Sequence, residues 1–314
     1  MKNKVFIRAL IASIFALVLY SANLHRVQNT KVKVVEPAKH KVAKKNKKEP
    51  KIKIKEPQAP KVSSGSEYAS NVDIEKGSIK ALANKIEEVM GKNGTYQVAY
   101  QDLNNSSKYV RLSTSEKAQN VSSTMELYLL VAIYKKEQSG KLSKSSAIKI
   151  KQSDRVKGEK LLQTNMNYGI AYLRDAMMKG NKTAANALLR KVGKDYVNQI
   201  AAKFGAKDTK LINSFSSSIV GQTTANDLDL TLKGLYQGRV LNRQYAYIVL
   251  GAMHGHKNTL TKQISGMSYG VSDGHSAAAI VQDRGNSYTI SVWSNTDKNF
   301  SKLGKAISTW VNKH

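Results

Sequence analysis

The stretch that most constrains the fold is residues 121–143, VSSTMELYLLVAIYKKEQSGKLS. Serines and a threonine open it, an apolar run from Leu127 to Tyr134 follows, and Gly140 closes it after a charged exit. Ser and Thr before a periodic apolar run mark a helix N-terminus, and Gly after a basic last turn marks its end. Leu127 to Tyr134 is apolar on nearly every face, so the helix is expected to be buried on all sides. The rest of the chain must therefore wrap around it. A small hydroxyl at the mouth of such a helix lies beside free backbone N–H groups that stabilise an anion. Ser123 is thus placed either as a nucleophile or as an ordinary cap.

The 314 residues suffice for one large domain or two small ones. With no cysteine, disulfides, thiol chemistry and cysteine-bound zinc are excluded. His254 and His256 are the only close histidines, and a polar helix end accounts for them better than a metal pair. No metal and no cofactor is expected. The formal net charge is +29, from 51 Lys and Arg against 22 acids. The first 66 residues hold 16 of the cations and 3 of the acids, which leaves 35 and 19, a net of +16, on residues 67–314. A basic chain favours anionic surroundings. No RNA-binding signature, finger or recognition helix is visible, so nucleic acid is not expected as a partner.

Lys2, Lys4 and Arg8 precede twelve apolar or small residues, 9–20. A basic start with such a core describes an export signal. Extended to residues 5–22, with Arg8 snorkelling, it reaches the length of a single span. Residues 1–30 are read as an uncleaved anchor, or a signal peptide if cut, with the bulk of the chain outside the membrane. Residues 31–66 hold all four prolines, three of them in Glu-Pro steps, with lysines between. Low hydrophobicity, like charge and proline make this an extended, disordered spacer. It serves either as a tether to anionic wall or lipid groups or as a plain spacer.

Residues 67–314 are the folded part. A helix is expected over residues 79–90, and a strand pair over residues 96–103 and 108–112, before the central helix. Residues 175–193 read as helix, polar break and second helix. Further helices are expected over residues 195–204, 226–237 and 243–253. A strand pair follows at residues 277–282 and 287–294, joined by Asp283-Arg284-Gly285-Asn286, and a last helix at residues 299–312 buries Phe300, Leu303, Ile307, Trp310 and Val311. An antiparallel sheet built from both chain ends, flanked by helices and with an all-helical subdomain between, is an α+β arrangement.

Four features together resemble the class A β-lactamase family, within the penicillin-recognising serine enzymes. They are Ser123-Thr124 opening an apolar helix that ends Gly140-Lys141-Leu142-Ser143, the run from Thr183 to Leu189, Thr223-Thr224 before a helix, and the closing strand pair and helix. The family's motifs are S-x-x-K, S-D-N and K-T-G. The resemblance makes Ser123 the nucleophile, but Glu126 stands where the lysine belongs. A carboxylate there would repel the oxyanion of acyl transfer, and Ser-x-x-Glu is also the capping box. Gly180-Asn181-Lys182 matches the second motif. Gly180 has no hydroxyl, Asn181 replaces an acid, and Lys182 brings a cation that would have to replace the missing lysine. Ser268-Tyr269-Gly270 matches the third, its lysine gone and Tyr269 placed to obstruct the cleft. Residues 210–225, before the next helix, hold no Asp or Glu to activate a deacylating water.

These departures imply an impaired, envelope-anchored domain acting as a binding module. Its expected partners are a cell-wall polymer or peptidoglycan fragment, or a protein, with the membrane contacted through the N-terminus; a monomer is expected. The alternative is an active serine acyl-enzyme hydrolase or transpeptidase acting on β-lactams or wall peptides through Ser123 with Glu126 or Lys182. A third reading is a surface that binds polyanions.

Overall fold

The computed structural model describes residues 72–92 and 94–314. The anchor and spacer expected over residues 1–66 lie outside the described residues. Among the described residues, no helix is long and apolar enough to cross a membrane.

A six-stranded antiparallel sheet forms the frame. Its strands are β1 (Asp73–Ile74), β2 (Tyr96–Asp102), β3 (Tyr109–Ser113), β9 (Met267–Ser272), β10 (Ser276–Asp283) and β11 (Asn286–Ser294), in the order β1-β3-β2-β11-β10-β9. N-terminal and C-terminal strands meet where β2 pairs with β11, from Tyr96 opposite Ser294 to Asp102 opposite Tyr288. The sheet is thus built from both chain ends, as the sequence order implied. Asp283 pairs with Asn286, and Arg284 and Gly285 between them both have positive φ, 51° and 84°. Two left-handed residues give the turn whose twist matches the strands it joins.

Helix α1 (Lys80–Met90) and the C-terminal helix α8 (Phe300–Val311) cover one face of the sheet. Leu82, Ile86, Phe300, Leu303 and Ile307 meet Val98, Ile290 and Val292 there, all but fully buried. Trp310 lies at the edge of this layer, half-buried rather than sealed. Behind the other face stands the helical part: α2 (Glu126–Gln138), α3 (Ile170–Met178), α4 (Lys182–Val192), α5 (Lys194–Phe204), α6 (Ala225–Tyr236) and α7 (Arg243–Met253). Every residue from Leu127 to Ile133 has zero exposure and Tyr134 only 6%. The helix without a polar face is therefore the centre of the second core, packed by α4, α5 and α7.

The expected break within residues 175–193 falls between α3 and α4, but α3 starts five residues earlier than the sequence suggested, at Ile170. The structure adds short strands that periodicity does not mark: β4 (Gln119–Val121), β5 (Ala147–Lys149), β6 (Asn167–Gly169), β7 (Lys210–Leu211) and β8 (Gly221–Thr223). β4 matters for function, because its pairing with β8 fixes the direction in which the chain enters α2.

Candidate functional site

Ser123 sits in a single 3-10 turn, Ser123–Met125, between β4 and α2. Among the described residues its hydroxyl has no hydrogen-bond partner, and the residue is partly exposed in a cleft of about 660 Å³. The capping box expected from Ser-x-x-Glu is absent. Ser122 occupies the position before the turn, and neither it nor Met125, before α2, caps with its side chain. The mouth is closed by Asp273, from the turn between β9 and β10. Its Oδ2 accepts from Ser122 N at 2.9 Å, Thr124 N at 3.3 Å and Thr124 Oγ1 at 2.9 Å. Its Oδ1 accepts from His275 N at 2.9 Å and Ser276 N at 2.8 Å. An internal carboxylate thus fills the electropositive end of the helix, where a reacting anion would be stabilised. Because Ser123 caps nothing, Ser123→Ala is expected to change stability by less than about 0.5 kcal/mol in urea unfolding. A loss near 1 kcal/mol would restore the capping role.

Glu126, one turn further along, also lines the cleft and is only 5% exposed. Among the described residues its carboxyl has no hydrogen-bond partner, and Oε1 is sealed from solvent. Burial pushes its pKa up to about 8; Lys182 opposes this, while Asp273 and Glu159 add to it. The residue is therefore mostly neutral at pH 7. The repulsion expected of a carboxylate at this position does not arise in the neutral form, which can donate a hydrogen bond.

Asn181 opens α4 as its cap, Oδ1 accepting from Ala184 N at 2.8 Å. Glu159 takes the next two free groups, Lys182 N at 2.7 Å and Thr183 N at 2.8 Å. Asn181 faces a neighbouring hollow rather than the Ser123 cleft, and Gly180 borders both. Lys182 is felt by Glu126 electrostatically without lining the cleft. Asn186, one turn into α4, clamps the loop of residues 213–218. It accepts from Phe215 N at 2.8 Å and donates to Ser216 Oγ at 2.7 Å. No residue of that neutral loop borders the cleft.

Along β9, Gly270, Val271 and Ser272 form the opposite wall. Ser268 and Tyr269 do not reach it, contrary to the motif match. The Ser268 carbonyl meets His254 Nδ1 at 3.0 Å. Tyr269 packs on the His254 ring, centroids 5.4 Å apart, and lines a separate groove with Tyr247 and Leu250 of α7. It lines that groove and not the cleft, so it does not obstruct the cleft. His254 ends α7, and His256 Nε2 meets Ala252 O at 2.8 Å, the polar helix end read from the sequence. With Lys257, Asp175 and Lys179 they make the rim.

The geometry thus unites Ser123, Glu126 and Gly270, with Lys182 behind Glu126 and Asn181 next door. Sequence reasoning missed Asp273 and Glu159. For Asp273 a signal existed: Asp-Gly after a strand marks a turn in which the aspartate bonds backbone N–H groups two and three residues on.

The model of the β-lactamase enzyme family matches residues 81–312. The chain belongs to the β-lactamase enzyme family. Solved structures agree in fold. The β-lactamase from Sphaerobacter thermophilus is 16% identical, with a TM-score of 0.65 over 75% of this chain and 98% of that one. A protein titled PBP-A is 16% identical with a TM-score of 0.67 over 76% and 98%. A β-lactamase from Francisella tularensis is 15% identical with a TM-score of 0.62 over 74% and 99%. No curated protein sequence matches. By the motif match, this β-lactamase-like chain keeps the serine and the strand glycine and has Glu126, Gly180, Asn181, Lys182, Ser268 and Tyr269 at the other signature positions.

Proposed function

We propose that this chain is a catalytically impaired β-lactamase-fold domain that works as a binding module in the cell envelope, its N-terminal residues serving as anchor and basic tether. The observation that carries this reading is the pair of carboxyl groups at the serine. Glu126 stands three residues on, where the family's lysine would take the serine's proton, and Asp273 fills the helix mouth. The loop of residues 213–218 offers no acid for deacylation. Members of a catalytic unit are strongly non-additive, so losing one already removes most of the rate. The expected binding partner is a wall polymer or peptidoglycan fragment, with a protein as the second class.

Fluorescent penicillin applied to the folded full chain is expected to give no labelling above the Ser123→Ala background, and nitrocefin no turnover. Labelling that disappears in Ser123→Ala would overturn the proposal.

A second reading, an active serine acyl-enzyme hydrolase or transpeptidase, has one observation in its favour. The Ser123 hydroxyl is unengaged, and Glu126 has a pKa pushed up to about 8, near the range of a working general base. That reading predicts acylation that rises with pH through about 8, as Glu126 ionises.

A further inference from the structure

The Ser123 cleft does not end at Gly180. Asp175, Lys179 and Gly180 also border a second hollow of about 440 Å³, whose other wall carries Tyr172 and Leu161. Tyr172 remains 44% exposed although stacked on Tyr168, with ring centroids 5.8 Å apart and planes 18° from parallel. Leu161 is 52% exposed. Exposed aromatic and aliphatic groups beside a polar cleft mark a place where a ligand's apolar face is covered.

The chemistry of the combined surface selects among ligand classes. Its lining includes the Ser123 hydroxyl and the Glu126 carboxyl, which have no hydrogen-bond partner among the described residues. Lys179 is paired with Asp175 at 2.7 Å, and the helix mouth is already filled by Asp273. No preformed anion seat is left at the mouth. Unpaired donors and acceptors next to an exposed tyrosine suit a molecule that carries hydroxyl or amide groups on its edges and C–H groups on its faces. Glu126 borders the cleft with Oε1 sealed, so such a group would bond its other carboxyl oxygen. The two hollows share Asp175, Lys179 and Gly180, and at Gly180 an added side-chain carbon would meet no atom within 4 Å.

We propose that the Ser123 cleft and the Tyr172 hollow form one binding site for a neutral oligosaccharide, a sugar ring lying on Tyr172 while hydroxyl or acetamido groups reach Ser123 and Glu126. This rests on the binding-module reading and names its ligand class. Chitotetraose, a neutral chain of N-acetylated sugars, is the probe.

Calorimetric titration of the full chain is expected to show saturable binding that persists between about 0.15 M and 0.5 M salt, because no ion pair is formed. Tyr172→Ala, a surface change, is expected to weaken binding about tenfold, the value of one aromatic contact. Glu126→Leu is expected to weaken it by at least a similar factor, whereas Glu126→Gln, which still donates and accepts, keeps most of it. The proposal is overturned if chitotetraose does not bind at low millimolar concentration. It is equally overturned if Tyr172→Ala binds as wild type, or if only polyphosphate binds and salt abolishes that binding. Penicillin labelling run in parallel separates the two claims: an adduct on Ser123 sinks the impaired-enzyme reading, whatever the sugar titration shows.

Discussion

Glu126→Gln is expected to stabilise the protein in alkaline solution and to flatten its stability profile between about pH 5 and pH 8. The sign follows from proton binding. An unfolded glutamate titrates near 4.5, whereas burial raises Glu126 to about 8 in the native state. Between those values the native state keeps a proton that the unfolded chain has lost, so stability falls as pH rises. The slope from this one group is about 1.4 kcal/mol per pH unit, ending above pH 8. Below pH 4 the carboxyl is protonated in both states, and the amide should differ little from it. Above pH 8 the amide escapes the penalty of burying a charge, so the gap between variant and wild type should reach a few kcal/mol. Urea unfolding at pH 4, 6, 8 and 9 measures it. Parallel curves for the two proteins would mean that Glu126 is ionised and solvated in the native state.

Asp273→Ala should be the most damaging single change near the cleft. It leaves four backbone N–H groups without their acceptor and the Thr124 hydroxyl with Ser276 Oγ alone, on two segments about 150 residues apart in sequence. At about 1 kcal/mol net per hydrogen bond, with water replacing some, the loss is about 3 kcal/mol. For a domain of this size that lowers Tm by roughly 10 °C. Asp273→Asn keeps one acceptor oxygen but turns an amide N–H₂ toward one set of donors, so it should fall between alanine and wild type. A change below about 1 kcal/mol for alanine would show that the mouth is held by other contacts.

These two residues mark the boundary of what the sequence reveals. The buried central helix was legible because Leu127 to Tyr134 offers no polar face, and the C-terminal hairpin because Asp283 to Asn286 is a turn between alternating runs. The meeting of both chain ends in one sheet followed from element order. Ser123 was legible as a helix-mouth hydroxyl. Its neighbour in space, Asp273, was not, because the contact spans the chain and depends on how β9 meets α2. The charge state of Glu126 was hidden for a related reason: a glutamate in a string of letters reads as an anion, and only burial makes it neutral. The capping-box reading failed because the mouth was already satisfied by a more distant acceptor. Tyr269 was misplaced in the cleft because its packing on the His254 ring, beside Tyr247, depends on where α7 ends against β9. Strands of two or three residues, such as β4 and β7, carry no periodicity to read.

The proposal of a catalytically impaired domain turns on whether Ser123 forms an acyl-enzyme. Intact-mass spectrometry of the full chain after incubation with excess penicillin G measures this directly, with peptide mapping to locate any adduct. The account predicts the unmodified mass at every time point from pH 6 to pH 9. Stoichiometric addition of one penicilloyl group at Ser123 would contradict it.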